Sequence, residues 1–175
     1  MRYFFLFLIF LISCNNAVDS NIEIKNSGLE LMVVGTAQDA GFPQMNCFKD
    51  CCKDAQGDPS KEVWVSCLSV IDHENKTYYF FDATPDFDKQ NDFIKSKFPS
   101  YKLDGIFLTH AHIGHYTGLM YLGREVIGAK QIPVYAMPRM EYFLMHNGPW
   151  IQLYKLGNID LIPMKADSSL KVSPL

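Results

Sequence analysis

Three of the five histidines in this 175-residue chain fall within six residues, in the run Thr109-His110-Ala111-His112-Ile113-Gly114-His115. Neutral imidazole is a favoured ligand for zinc, iron and similar ions. Residues two apart in an extended chain project to the same side, so His110 and His112 can offer two rings to one ion. A turn at Gly114 then lets His115 enter the same pocket. The competing reading is three solvated loop histidines, but that is the usual fate of a lone histidine rather than of three so spaced. Zinc is the first candidate, with iron or manganese behind it.

Other residues could assist. Asp82 and Asp86, in Asp82-Ala83-Thr84-Pro85-Asp86, could orient a ligand histidine from behind. Either equally suits a turn carboxylate or a helix cap, and Asp86, just after Pro85, fits the cap well. His146 suits a helix end, where its ring satisfies the last carbonyls, better than a ligand role. Trp150, in the turn Asn147-Gly148-Pro149-Trp150, could line a substrate mouth, though a large aromatic is more often core. Arg139 could meet an anionic substrate or stand on a helix surface.

The elements that must position these residues follow from apolar patterning. Residues 29–34 form a compact apolar run ending at Gly35, which suits a buried strand. Residues 35–59 read as a long loop rich in Gly, Asp, Pro and Cys, a kind that is usually functional. Residues 63–71 and 77–81 read as hairpin strands joined by a turn at 73–76. Pro85 opens a helical stretch through Lys97, carrying Phe87, Phe93 and Ile94, and Pro99 stops it. A strand at 105–108 feeds the histidines, and a helix is expected at 116–127, stopped by Gly128. Residues 132–136 form a further strand, and Pro138 starts a helix through about His146. Strands followed by alternating strand and helix imply a layered α/β domain.

Composition agrees: 48% apolar and 20% charged residues are ordinary for a globular protein. A formal charge of −3 provides no basic face, so nucleic acid is not an expected partner. Met1-Arg2 and ten apolar residues from Tyr3 to Ile12 read as a secretory signal, too short for the roughly 20 residues of a spanning helix. Leu11-Ile12-Ser13-Cys14 resembles the bacterial lipobox, which implies lipid on Cys14 and an exported membrane lipoprotein facing the periplasm or cell surface. The expected division is a lipoprotein signal at 1–13, a tether at 14–28 with a short strand at 22–24, and a domain at 29–175.

The histidine run, continued as Tyr116-Thr117-Gly118-Leu119, resembles the H-x-H-x-D-H signature of the metallo-β-lactamase fold superfamily. Val34-Gly35-Thr36-Ala37-Gln38-Asp39-Ala40-Gly41-Phe42-Pro43-Gln44 is similar to the first loop of coenzyme PQQ synthesis protein B and its phosphodiesterase relatives. Asp82-Ala83-Thr84-Pro85-Asp86 matches the loop after that family's hairpin. The resemblance implies an αββα sandwich of which this chain supplies the N-terminal half. It further implies a metal-dependent hydrolase of a small ester or phosphodiester, with His110 and His112 in a first metal site and His115 in a second. Gly114 stands where the family has an aspartate, so a second ion should bind weakly or be completed by another residue. The family needs about as much chain again after this motif, and residues 170–175 read like a strand cut off as it begins. Two other functions compete: an oxidative role with bound iron, as in PQQ biosynthesis, and a non-catalytic binding protein with a decayed site. The partners expected are a small-molecule substrate and a membrane, with oligomeric state left open.

The same relatives carry a C-x-C-x-x-C structural metal cluster. Cys47 and Cys52 keep its outer spacing, while Lys49 takes the middle place and Cys51 is added. A structural zinc, disulfides that also involve Cys67, and free thiols all remain open for these residues; a vicinal Cys51–Cys52 bond would be strained.

Overall fold

The computed structural model describes residues 28–172. The signal, Cys14, nearly all of the tether with its strand at 22–24, and the last three residues lie outside them. β1 (Leu29–Gly35), β2 (Cys67–Asp72), β3 (Thr77–Phe81), β4 (Lys102–Phe107), β5 (Ile132–Ala136) and β6 (Ile159–Pro163) form one six-stranded sheet. Their order in space is their order in the chain. β1–β2 and β2–β3 pair antiparallel, and every later neighbour pairs parallel.

Register divides the sheet into two unlike faces. Ser69 pairs with Phe80, Phe80 with Ile106, Ile106 with Val134 and Val134 with Leu161, so these side chains share one face. That face is buried under α1 (Phe87–Lys97), α2 (Pro138–His146) and α3 (Trp150–Lys155), whose Phe87, Ile94, Leu144, Trp150 and Leu153 join the same core. Each fully buried large side chain contributes roughly 1.5–3 kcal/mol. On the opposite face, Val33 aligns with Leu68 and Leu68 with Phe81, followed by Phe107 and Tyr135. Phe107 stacks on Phe81 at 5.2 Å and on Tyr135 at 4.3 Å. Toward β1 this face is open: Leu29, Leu31 and Val33 are all more than half exposed. The described residues thus supply one sheet and one helical layer of the expected sandwich.

Several expected elements change. The strand expected from residue 63 begins at Cys67; before it, Val63 and Val65 make only isolated bridges, to Phe42 and Ala37. The strand expected at 105–108 starts earlier, at Lys102. The helix expected at 116–127 is a 3₁₀ segment, Thr117–Leu122, followed by turns. Gly118 and Gly123 weaken α-helix there, and buried Leu119 and Leu122 sit three apart, the repeat of a 3₁₀ turn. A Cβ on Gly118 would come within 2.1 Å of the Thr84 carbonyl, so only glycine permits this packing. α3 and β6 were not expected, and residues 170–172 form no strand. No helix among the described residues is long and apolar enough to cross a membrane.

Candidate metal centre

β1 and β3 both run antiparallel to β2, and β4, β5 and β6 run parallel to β3, so five carboxyl ends lie along one edge. Ligand crevices in open α/β sheets form at such an edge. Asp39 lies on the loop after β1, Asp82 follows β3, the histidines follow β4, and Arg139 opens the helix after β5.

Asp82 is the centre of the arrangement. It adopts φ +74°, in the left-handed region that Asp tolerates better than most residues, and its N–H donates to the Phe107 carbonyl at 2.8 Å. That turn aims its carboxylate across the end of β4. Oδ1 accepts the Thr109 N–H at 2.8 Å, the Thr109 hydroxyl donates to Oδ2 at 2.8 Å, and Oδ2 also lies 2.8 Å from Nδ1 of His115. Nδ1 faces this carboxylate, so a ring protonated there alone leaves the Nε2 lone pair for a ligand role.

The other rings gather beside it. His110 and His115 have ring centroids 4.0 Å apart, and His110 Nε2 lies 3.0 Å from His112 Nδ1. Ligand atoms of Asp82, His110 and His115 all fall within 4.8 Å of one another. His112 is exposed and joins this group through its contact with His110. Imidazole nitrogens converging beside a carboxylate fit the donor set of a divalent transition-metal ion.

Asp86 proves to be neither an orienting carboxylate nor a side-chain cap. It occupies the N-cap position of α1 with no capping hydrogen bond. Its Oδ2 accepts the Val65 N–H at 2.9 Å, and Gln90 donates to the Val65 carbonyl at 2.7 Å. The start of α1 therefore grips both backbone groups of Val65 and ties down the chain entering β2, a task no local pattern announces.

His146 bonds the Tyr142 carbonyl through Nδ1 at 2.8 Å, far from the other histidines in role, as a helix-end residue. Trp150 is buried, with its ring 5.2 Å from Tyr116, and so belongs to the core. Arg139 is exposed at a cleft of about 500 Å³ lined also by His110, Tyr116, Met137, Met140 and Phe143. Sequence reasoning missed Asp39, whose Oδ1 lies 3.1 Å from His115 Nε2; the only signal was an acidic residue in the long loop after β1.

Cys47, Cys51 and Cys52 form a second group, with Sγ atoms 4.0 Å apart for the first pair and 3.7 Å for the second. They share a hollow with Asp39. A hydrogen bond from Cys52 is the largest of the influences that lower the Cys47 thiol below its ordinary value. That same bond, with burial, pushes Cys52 up to about 11. Cys67 lies apart, its thiol 3.4 Å from the Phe81 carbonyl, and burial pushes its pKa well up. All four are free thiols, so the disulfide option is not realised among the described residues.

A family model for the β-lactamase superfamily domain matches residues 77–175, more than half of the chain. The chain belongs to that superfamily. Two solved structures share the fold of this superfamily member. Zn²⁺-bound PqqB from Methylobacterium extorquens is 17% identical with a TM-score of 0.65, covering 82% of this chain and 52% of that one. A diphosphatase from the PhnP family is 23% identical with a TM-score of 0.57, covering 82% of this chain and 54% of that one. The chain spans about half the length of both. No curated protein matches it. The six-stranded sheet with its helical layer is the metallo-β-lactamase-type α/β fold, and family and side chains together support a metal cofactor.

Proposed function

We propose that this chain carries the metal-binding part of a hydrolase site for a small ester or phosphodiester, with zinc as the resident ion. The observation that carries the reading is the gathering of His110 and His115 beside the carboxylate of Asp82, with His112 in contact with His110. His110, His112 and Nε2 of His115 would hold the ion, while Asp82 fixes the tautomer and angle of the His115 ring. A divalent ion bound there lowers the pKa of water toward about 7 and polarises an ester or phosphoryl oxygen. The cleft beside His110 receives the substrate: Arg139 attracts its anionic group, and Met137, Met140 and Phe143 cover an apolar portion while excluding water. Cys47, Cys51 and Cys52 hold a separate structural ion, and Cys14 carries the lipid that keeps the exported protein at a membrane.

Metal analysis after reconstitution with zinc, manganese or ferrous iron tests the site directly. Stoichiometric metal that falls on His110→Ala or His115→Ala, together with hydrolysis of a nitrophenyl phosphodiester, is the expected result. Protein that takes up no metal at the histidines overturns the reading. For the anchor, Cys14→Ala should move the protein from the membrane to the soluble fraction, and unchanged fractionation would refute it.

A further inference from the structure

The His115 ring is held between carboxylates from two different loops. Asp82 lies 2.8 Å from Nδ1, and Asp39 Oδ1 lies 3.1 Å from Nε2. With the ring proton directed at Asp82, Nε2 turns a lone pair toward a second acceptor. Two acceptors that close repel each other unless a cation lies between them or the ring takes a second proton and donates to both acids. Two ligand atoms each about 2.1 Å from one ion, at angles between octahedral and tetrahedral, stand about 3.0–3.4 Å apart. The Asp39–His115 gap of 3.1 Å falls in that window, as does the 3.0 Å gap between His110 Nε2 and His112 Nδ1.

Gly114 supplies an independent observation. A Cβ built on it would lie 2.7 Å from the Asp39 Cβ and 2.8 Å from the Asp39 carbonyl oxygen. The residue before His115 has no side chain because the Asp39 backbone fills the space a side chain would need. A glycine where the motif leads one to expect an acid is therefore part of the loop packing and not a sign of decay. The carboxylate reaches the same imidazole from the loop after β1.

We propose that Asp39 Oδ1 is a further ligand of the divalent ion held by His115 Nε2, supplying the carboxylate that position 114 lacks. The two acids on His115 then have separate tasks. Asp82, with its side chain 7% exposed and its oxygens engaged by Thr109 and His115, positions the ring. Asp39, 44% exposed, faces the opening and ligates. This inference rests on the metal reading above and adds a ligand to it.

Titration of the intact chain with Co²⁺, followed by visible absorption and equilibrium dialysis, tests it. Ions on the cysteines are set apart by the near-ultraviolet charge-transfer band of thiolate-bound cobalt. Asp39→Asn should weaken the His115 ion by about 10–100-fold and leave the circular dichroism spectrum unchanged. Asp39→Glu should recover part of the affinity, and Asp39→Asn added to His115→Ala should cost little more than His115→Ala alone. If Asp39→Asn and Asp39→Ala both bind Co²⁺ as the wild type does, Asp39 is not a ligand, while the metal reading stands. If the wild type binds Co²⁺ only at thiolates, both readings fall.

Discussion

Oδ2 of Asp82 lies 2.8 Å from Nδ1 of His115, with the two side chains only 7% and 12% exposed. This contact joins the end of β3 to the loop after β4, and in so doing fixes which nitrogen of the ring is free to bind. The orientation of the metal centre thus depends on a residue that need not touch the metal.

Asp82→Asn should separate positioning from ligation. The amide keeps one oxygen for the Thr109 N–H but turns an uncharged group toward Nδ1. Metal affinity should fall by about 10–100-fold, and folding stability by about 1–3 kcal/mol for the imperfectly satisfied buried partners. Zinc competition with a chelator and urea denaturation read the two effects; an unchanged zinc affinity would show that the ring is held by other contacts.

Gly114→Ala should destabilise the fold, because its Cβ would meet Asp39 backbone atoms and not a flexible side-chain tip. A cost of about 1–3 kcal/mol is expected. Gly114→Asp should cost at least as much, with no gain of bound metal. A stable Gly114→Asp protein holding an extra ion would contradict the packing described for this loop.

The three clustered thiols should not react alike. Cys47, lowered chiefly by its hydrogen bond from Cys52, should be alkylated by iodoacetamide well before Cys52, whose own thiol is pushed up to about 11. Buried Cys67 should react last. Peptide mapping of a time course at about pH 8 checks the order, the thiolate being the reactive form. Added zinc should protect Cys47, Cys51 and Cys52 together and leave Cys67 unchanged.

Stability should decline in alkali. Burial is the main cause that pushes the Cys67 thiol and the Tyr78 and Tyr79 phenols above their ordinary values of 9.0 and 10.0. The folded protein therefore keeps protons that the unfolded chain releases above about pH 9. Unfolding then gains from every further rise in pH, so this contribution is complete below about pH 9 and is lost above it. Urea midpoints measured from about pH 8 to pH 10.5 should fall, and Tyr78→Phe should flatten the slope.

Much of this arrangement could be read from the chain because its signals are local. The strand at 29–34, though not its burial, the hairpin read at 63–81, of which residues 67–81 pair, and the strand leading to His110 each lie within one short window, and the spacing of three histidines needs no partner to be noticed. The two acids required knowledge of distant packing. Asp39 reaches His115 across 76 positions and Asp86 reaches Val65 across 21, so nothing near either residue in sequence marks its role. The segment after His115 misled for a different reason: its leucines suit an α-helix or a 3₁₀ turn equally, and the contact of Gly118 with Thr84 decides between them. α3 has only six residues, too few for its periodicity to stand out.

The sheet's spatial order also bears on how the molecule comes together. Since β1 through β6 lie side by side in the sequence in which they are made, no strand among the described residues has to be wedged between two that have already paired. Each newcomer closes a loop onto its immediate predecessor, the least costly kind of encounter for a growing sheet. Asp39 and Asp82 both precede the histidine segment in the chain, and the loops after β1 and β3 that carry them flank the His115 ring from its two nitrogens.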